Sequence, residues 1–273
     1  MHAGIFIHTR CAALGLRGHD AQRVVQRREP IERGRASCDQ VRLVAMPSAA
    51  PSSDVRPVFL FAHGAGAPSS SPWMVGWKKR LATLGPAIAF DYPYMRERRR
   101  TPDRLPHLIA AHREALTKAT AQHAGPAVLA GKSMGSRVGC HLALEEPSVR
   151  ALVCFGYPLK SPGKKGAVRD EVLLALRVPI LFLQGTRDSL CPVDLLEGVR
   201  KKMQAPSTLH LVEGGDHSLN VSAGALRAAG EKQSDVDDRV LAAVAKFLRD
   251  HALAHASDES ARGASRTSGH PTR

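Results

Sequence analysis

Three residue types that together can make an activated nucleophile stand far apart in this chain. Ser133 lies in Gly131-Lys132-Ser133-Met134-Gly135, Asp188 in Gln184-Gly185-Thr186-Arg187-Asp188, and His217 in Gly214-Gly215-Asp216-His217-Ser218. A serine hydroxyl is a weak nucleophile until a base takes its proton, and an imidazole serves as that base when a carboxylate fixes its tautomer. The chemistry of such a set is acyl transfer through a covalent intermediate. Rival residues fit less well: His210 falls inside an apolar run, His63 opens a glycine-rich loop that it is placed to brace, and Asp216 adjoins His217 too closely for the two side chains to meet. Each member also has a plainer role open to it, Ser133 as a helix N-cap, Asp188 as a turn or cap residue and His217 as a solvated loop histidine.

The elements around these residues must therefore decide. Ser133 follows the apolar run Ala127–Ala130 and precedes a helical pattern, which is the setting of a G-x-S-x-G nucleophile elbow, a sharp turn from strand to helix. Gly131 and Gly135 have a steric reason to be there, since a side chain two residues either side of the serine would strike a neighbouring strand or helix. Gly139, one helical turn on, extends the same small face. A phosphate-binding G-x-x-x-x-G-K-S loop would need glycine at 126, which is Pro126. Transition-state charge calls for main-chain donors, and the expected pair is the N–H of Met134 and that of Ala65 in His63-Gly64-Ala65-Gly66, with His63, Gly64 and Gly66 supporting that loop.

Strand and helix signals alternate from Pro57 onward. Apolar runs at 58–62, 87–90, 127–130, 151–155 and 178–183 read as buried strands, the first as one buried on both faces, and 208–212 reads as the last strand. Helices are expected at 73–84, 103–122 and 236–248, the second with Leu105, Leu108, Ile109, His112, Leu116 and Ala119 turned inward. This alternation predicts an α/β domain with a mostly parallel sheet, helices on both faces, and ligands outside the carboxyl ends of the strands. Ser133, Asp188 and His217 follow three such ends in the chain order of the alpha/beta-hydrolase fold. Residues 51–250 are assigned to that domain. Residues 1–50 read as a disordered basic extension or as sequence upstream of a start near Met46, although 40–46 alternates like an edge strand, and residues 251–273 read as a disordered tail.

Composition bounds the rest. Of 273 residues, 43% are hydrophobic, enough for a sizeable core, and no run approaches the ~18 apolar residues of a membrane span. Five cysteines, Cys11, Cys38, Cys140, Cys154 and Cys191, form no C-x-x-C pair, which points to buried thiols in a reducing, cytoplasmic setting. The net charge is +14, and residues 46–250 keep 28 basic against 19 acidic side chains, so the excess is not confined to the ends. It favours anionic partners, but with 4% aromatics and no recognition motif nucleic acid is not expected as the primary ligand. His251 and His255 share a helical face without the glutamate of H-E-x-x-H, and neither a metal nor a cofactor is expected.

Six segments together carry a resemblance: 63–74, 91–95, 131–137, 156–159, 184–188 and 215–218. From about Val58 to Leu248 the chain resembles the alpha/beta-hydrolase-like family that includes testis-expressed protein 30 and the third regulatory subunit of the NSL acetyltransferase complex. The resemblance implies the same fold and a triad at Ser133, Asp188 and His217. It also implies that a member can serve as a subunit with no substrate of its own. The segment Gly156-Tyr157-Pro158-Leu159-Lys160-Ser161 departs from the family pattern, where histidine and proline are usual.

Between the strand after the elbow and the next lie only residues 156–178, too few for a large helical lid. An open, shallow site for small or extended acyl substrates follows. Two basic loops border it, Arg96–Arg100 and Lys160–Arg169, suited to an anionic ligand or simply to solvent. The expected activity is that of a serine hydrolase acting on a small carboxylic ester or related acyl bond. The alternative is a catalytically silent module that binds a partner through its basic surface.

Overall fold

Six short apolar segments pair side by side into one sheet, and their order fixes where the site lies. In this computed structural model, residues 56–161 and 167–253 are described, all within the unit Ala50–Arg273. The strands are β1 (Val58–Ala62), β2 (Ala87–Phe90), β3 (Ala127–Lys132), β4 (Val149–Phe155), β5 (Ile180–Gly185) and β6 (Ser207–Val212). They run in the order β2-β1-β3-β4-β5-β6, and every pairing is parallel, where a mostly parallel sheet was expected. The chain steps outward from β1 to β2 and returns to place β3 on the other side of β1. The exits of β1 and β3 consequently diverge, leaving a crevice at the switch point.

Alternate residues of each strand feed two cores. Phe59, Phe61, Val128, Ala130, Val153 and Phe155 face α1 (Pro72–Leu81) and α8 (Gln233–Leu248), which present Met74, Trp77, Leu81, Val240, Val244 and Phe247. Val58, Leu60, Leu129, Leu152, Ile180 and Phe182 face α3 (Leu105–Gln122), α4 (Met134–Ala143), α5 (Glu171–Ala175) and α6 (Val193–Arg200). With each large apolar side chain contributing about 1.5–3 kcal/mol when fully buried, these two layers hold the sheet. Prolines occupy the first turns of α1, α2 (Pro93–Arg96) and α3, where a missing N–H is harmless. The short α7 (Ala223–Ala229) has a Ser222 cap and ends at Gly230 in the left-handed region.

Several boundaries differ from expectation. Asp103 does not open α3: its carboxylate accepts from Tyr94 N (3.1 Å) and from Arg99 (2.7 Å), closing the segment after α2. α1 stops at Leu81, three residues early, and Arg96 belongs to α2 and not to a loop. Gly139 makes ordinary contacts, since an added Cβ would lie 3.6 Å from Leu129 and His112, so no close approach requires it. The chain stays helical past 250, as a π turn over Arg249–Leu253, with the His251 ring 5.1 Å from Phe247. The strand expected at 40–46 and the partner histidine at 255 lie outside the described residues. Cys140, Cys154 and Cys191 are buried and free. Among the described residues no helix is long and apolar enough to cross a membrane, and no cluster of three His, Cys, Asp or Glu is arranged for a metal.

Candidate active site

Ser133 stands between β3 and α4 with φ 51° and ψ −112°, a conformation that L-residues rarely adopt. Main chain on every side keeps it there. Ser133 N–H donates to Phe155 O at 3.0 Å, and the Ser136 hydroxyl donates to Gly131 O. A Cβ on Gly131 would lie 2.3 Å from Ser136 N, and one on Gly135 would lie 2.5 Å from Ala62 O, so helix, elbow and β1 pack with no room for a methyl group at either position.

Asp188 follows β5 and is 4% exposed. Its Oδ2 accepts from Gln184 Nε2 (2.7 Å) and from His217 Nδ1 (2.8 Å), and its Oδ1 accepts from Leu190 N (2.9 Å). Burial pushes the carboxyl's pKa up, but the bonds from His217, Gln184 and Leu190 outweigh it, so the group stays below the usual aspartate value and ionised at neutral pH.

His217 sits on the loop after β6. Since Nδ1 faces a carboxylate, Nδ1 carries the proton, and Nε2 accepts from the Ser133 hydroxyl at 2.8 Å. Ser133, His217 and Asp188, distant in sequence, thus form one hydrogen-bonded chain at one rim of the sheet. Asp216 faces away from the imidazole, its Oδ1 capping Ser218 N (2.7 Å) and Asn220 N (2.9 Å). His210 lies half-buried within β6.

The loop after β1 passes beside the serine: a Cβ on Gly64 would be 3.5 Å from Ser133 Cβ. His63 is fully buried and braces it, with Nδ1–H donating to Gly64 O (2.6 Å) and Nε2 accepting from Tyr92 N (3.2 Å). Burial lowers the His63 pKa, only partly countered by Gly64 and Asp91, so the ring is neutral. The Tyr94 hydroxyl donates to Ala65 O at 3.1 Å and Asp91 accepts from Ser69 N at 2.6 Å, tying the loop to the exit of β2. A Cβ on Gly66 would meet no atom within 4 Å and its φ is ordinary, so glycine is not a steric requirement there. The N–H of Met134 lies in the first turn of α4, where helix geometry provides no intrahelical acceptor.

Four residues around the site escaped the sequence. Lys132 sends its ammonium to His217 O, Trp73 donates from Nε1 to Ser218 O (2.9 Å), Gln184 supports Asp188, and Leu219, with φ 64° and fully buried, pins the histidine loop into the core. Gln184 is signalled by its place at the end of a strand just before Asp188. The other three depend on the path of a side chain across the fold, which no spacing reveals.

Residues 55–249 match the sequence pattern of the alpha/beta hydrolase domain. The chain belongs to that family. The hydrolase domain is also similar in fold to solved structures. An esterase domain from Rhodothermus marinus aligns over 72% of this chain and 89% of its own, with 18% identity and TM-score 0.52. Dienelactone hydrolase from Anabaena variabilis aligns over 72% and 87%, with 19% identity and TM-score 0.52. An alpha-beta serine hydrolase homologue from Coxiella burnetii aligns over 59% and 77%, with 17% identity and TM-score 0.50.

Proposed function

We propose that this hydrolase domain is a serine esterase, cleaving a small carboxylic ester or related acyl bond through an acyl-enzyme. The single observation that carries the reading is the pair of 2.8 Å bonds that make His217 a bridge between Ser133 and Asp188. Ser133 Oγ attacks the acyl carbon as its proton passes to His217 Nε2. The oxyanion that develops is met by the N–H groups of Met134 and Ala65, each such donor contributing about 2.7–4 kcal/mol to the transition state. The imidazolium then gives its proton to the departing oxygen. Water repeats the sequence on the acyl-enzyme and frees Ser133, with Asp188 ionised throughout. No cofactor is needed.

The short connection after β4 favours small or extended substrates. One end of the substrate is anionic in this reading, because Ala65 and Gly66 share a cavity of about 570 Å³ with Arg98 and Arg100. In the second basic loop Arg169 donates to the Ser161 hydroxyl, and residues 162–166 lie outside the described residues. The relatives named esterase and dienelactone hydrolase support ester chemistry, and kinship with the testis-expressed protein 30 group and a cytoplasmic setting belong to the same proposal. Labelling with a fluorophosphonate probe tests it. Wild type should label and turn over short-chain aryl esters while Ser133→Ala does neither; absence of labelling and turnover in wild type would favour a silent binding module.

A further inference from the structure

The acyl-transfer scheme leaves one buried charge unused. Lys132, next to the nucleophile in sequence, is only 9% exposed. From the end of β3 its stem runs under the histidine loop, where Nζ donates to the main-chain oxygen of His217 and lies 5.5 Å from the centre of the Trp73 ring. Room for this contact comes from Gly156, at φ 60°: a Cβ there would sit 2.4 Å from His217 O and 3.3 Å from Lys132 Nζ. Trp73 in turn holds the next carbonyl, Ser218 O. Two consecutive carbonyls of the loop are therefore gripped by two side chains that stack on each other.

Burying an ammonium is unfavourable, and a methionine would fill the same space without that cost. The charge is spent on the carbonyl of the residue whose ring bridges Ser133 and Asp188. Moreover, Lys132 and Ser133 are joined by one peptide bond, so the grip ties nucleophile and base together by a very short path.

We infer that Lys132 is a positioning residue, which fixes the main chain of His217 so that its imidazole reaches Ser133 and Asp188 together. The catalytic consequence rests on the proposed esterase reading, whereas the positioning itself does not. Proton NMR of wild type, Lys132→Met and Lys132→Arg reads the low-field signal of the His217 Nδ1–H bonded to Asp188, alongside turnover of p-nitrophenyl acetate. Lys132→Met should lose or broaden the signal and lower kcat by about tenfold to a hundredfold, with KM within about twofold, because sub-ångström alignment governs the proton transfer. Lys132→Arg, which keeps charge and donor, should recover both. Lys132→Gln, polar but too short to reach the carbonyl, replaces the methionine variant should that one not fold. An unchanged signal and kcat in the neutral variant, or a loss that arginine leaves wholly in place, would overturn the inference. If wild type proves inactive, the esterase reading fails, and the NMR comparison alone still decides the role of Lys132.

Discussion

An ammonium held among apolar groups changes how the protein responds to base. Burial lowers the Lys132 pKa from 10.5 to about 8, with Asp188 and Asp216 drawing it part of the way back. Between these values the unfolded chain holds a proton that the folded chain has released, so folding becomes more favourable as pH rises. The sign is that of a depressed folded-state pKa: the stability is fully present above the unfolded value and lost as pH falls through the folded one. Urea melts at about pH 7 and about pH 10.5 should show wild type gaining on the order of 3 kcal/mol relative to Lys132→Met, as the pKa separation requires. Parallel curves for the two proteins would mean that the ammonium is solvated. The placement of Ser133, Asp188 and His217 at three strand ends was readable from residue type and chain order, because each follows an apolar run. Lys132 was not, since inside Gly131-x-Ser133 nothing in the sequence says that its stem turns back under residue 217 and not out to water.

At the scale of the element, the elbow sets local preference against packing. Alanine is favoured over glycine in a helix by up to about 1 kcal/mol, which would recommend it at Gly135. Packing reverses the sign, because the new methyl group would lie 2.5 Å from Ala62 O and 2.7 Å from His63 O, and main chain cannot swing aside as a side chain can. Gly135→Ala should therefore lose about 1–3 kcal/mol or more and displace β1 from α4, whereas Gly66→Ala, with open space around it, should melt within about 0.5 kcal/mol of wild type. Thermal melts of the two variants side by side check this. β1, β3, β4 and β5 were legible because strands buried on both faces leave apolar runs, whereas the edge strands β2 and β6 are only partly buried and showed as shorter or broken runs. α2, α5, α6 and α7, of four, five, eight and seven residues, were not legible, since so few turns leave little period to detect. Asp103 was placed at the start of the helix by spacing alone, and its carboxylate serves the turn after α2 instead.

Over the whole molecule the net charge is +14, and under the proposed esterase reading the arginines that share a cavity with Ala65 would direct an anionic substrate. Arg99 is occupied by Glu97 and Asp103. Arg98 and Arg100 are the residues to test. An ester with a terminal carboxylate should lose kcat/KM as salt is raised from about 50 to about 500 mM, a range over which the screening length shrinks severalfold, while a neutral ester of equal length should not. The double variant Arg98→Ala, Arg100→Ala should abolish the difference through KM, and a salt response that survives it would place the attraction elsewhere. The crevice between the departing ends of β1 and β3 has a wider implication. It is a product of strand order and would persist, like a notch cut in a beam, under changes at the loop tips that spare Gly131 and Gly135. New loop tips can be tried there while the slab beneath keeps its register, leaving this scaffold free to change reactions at little risk to its folding.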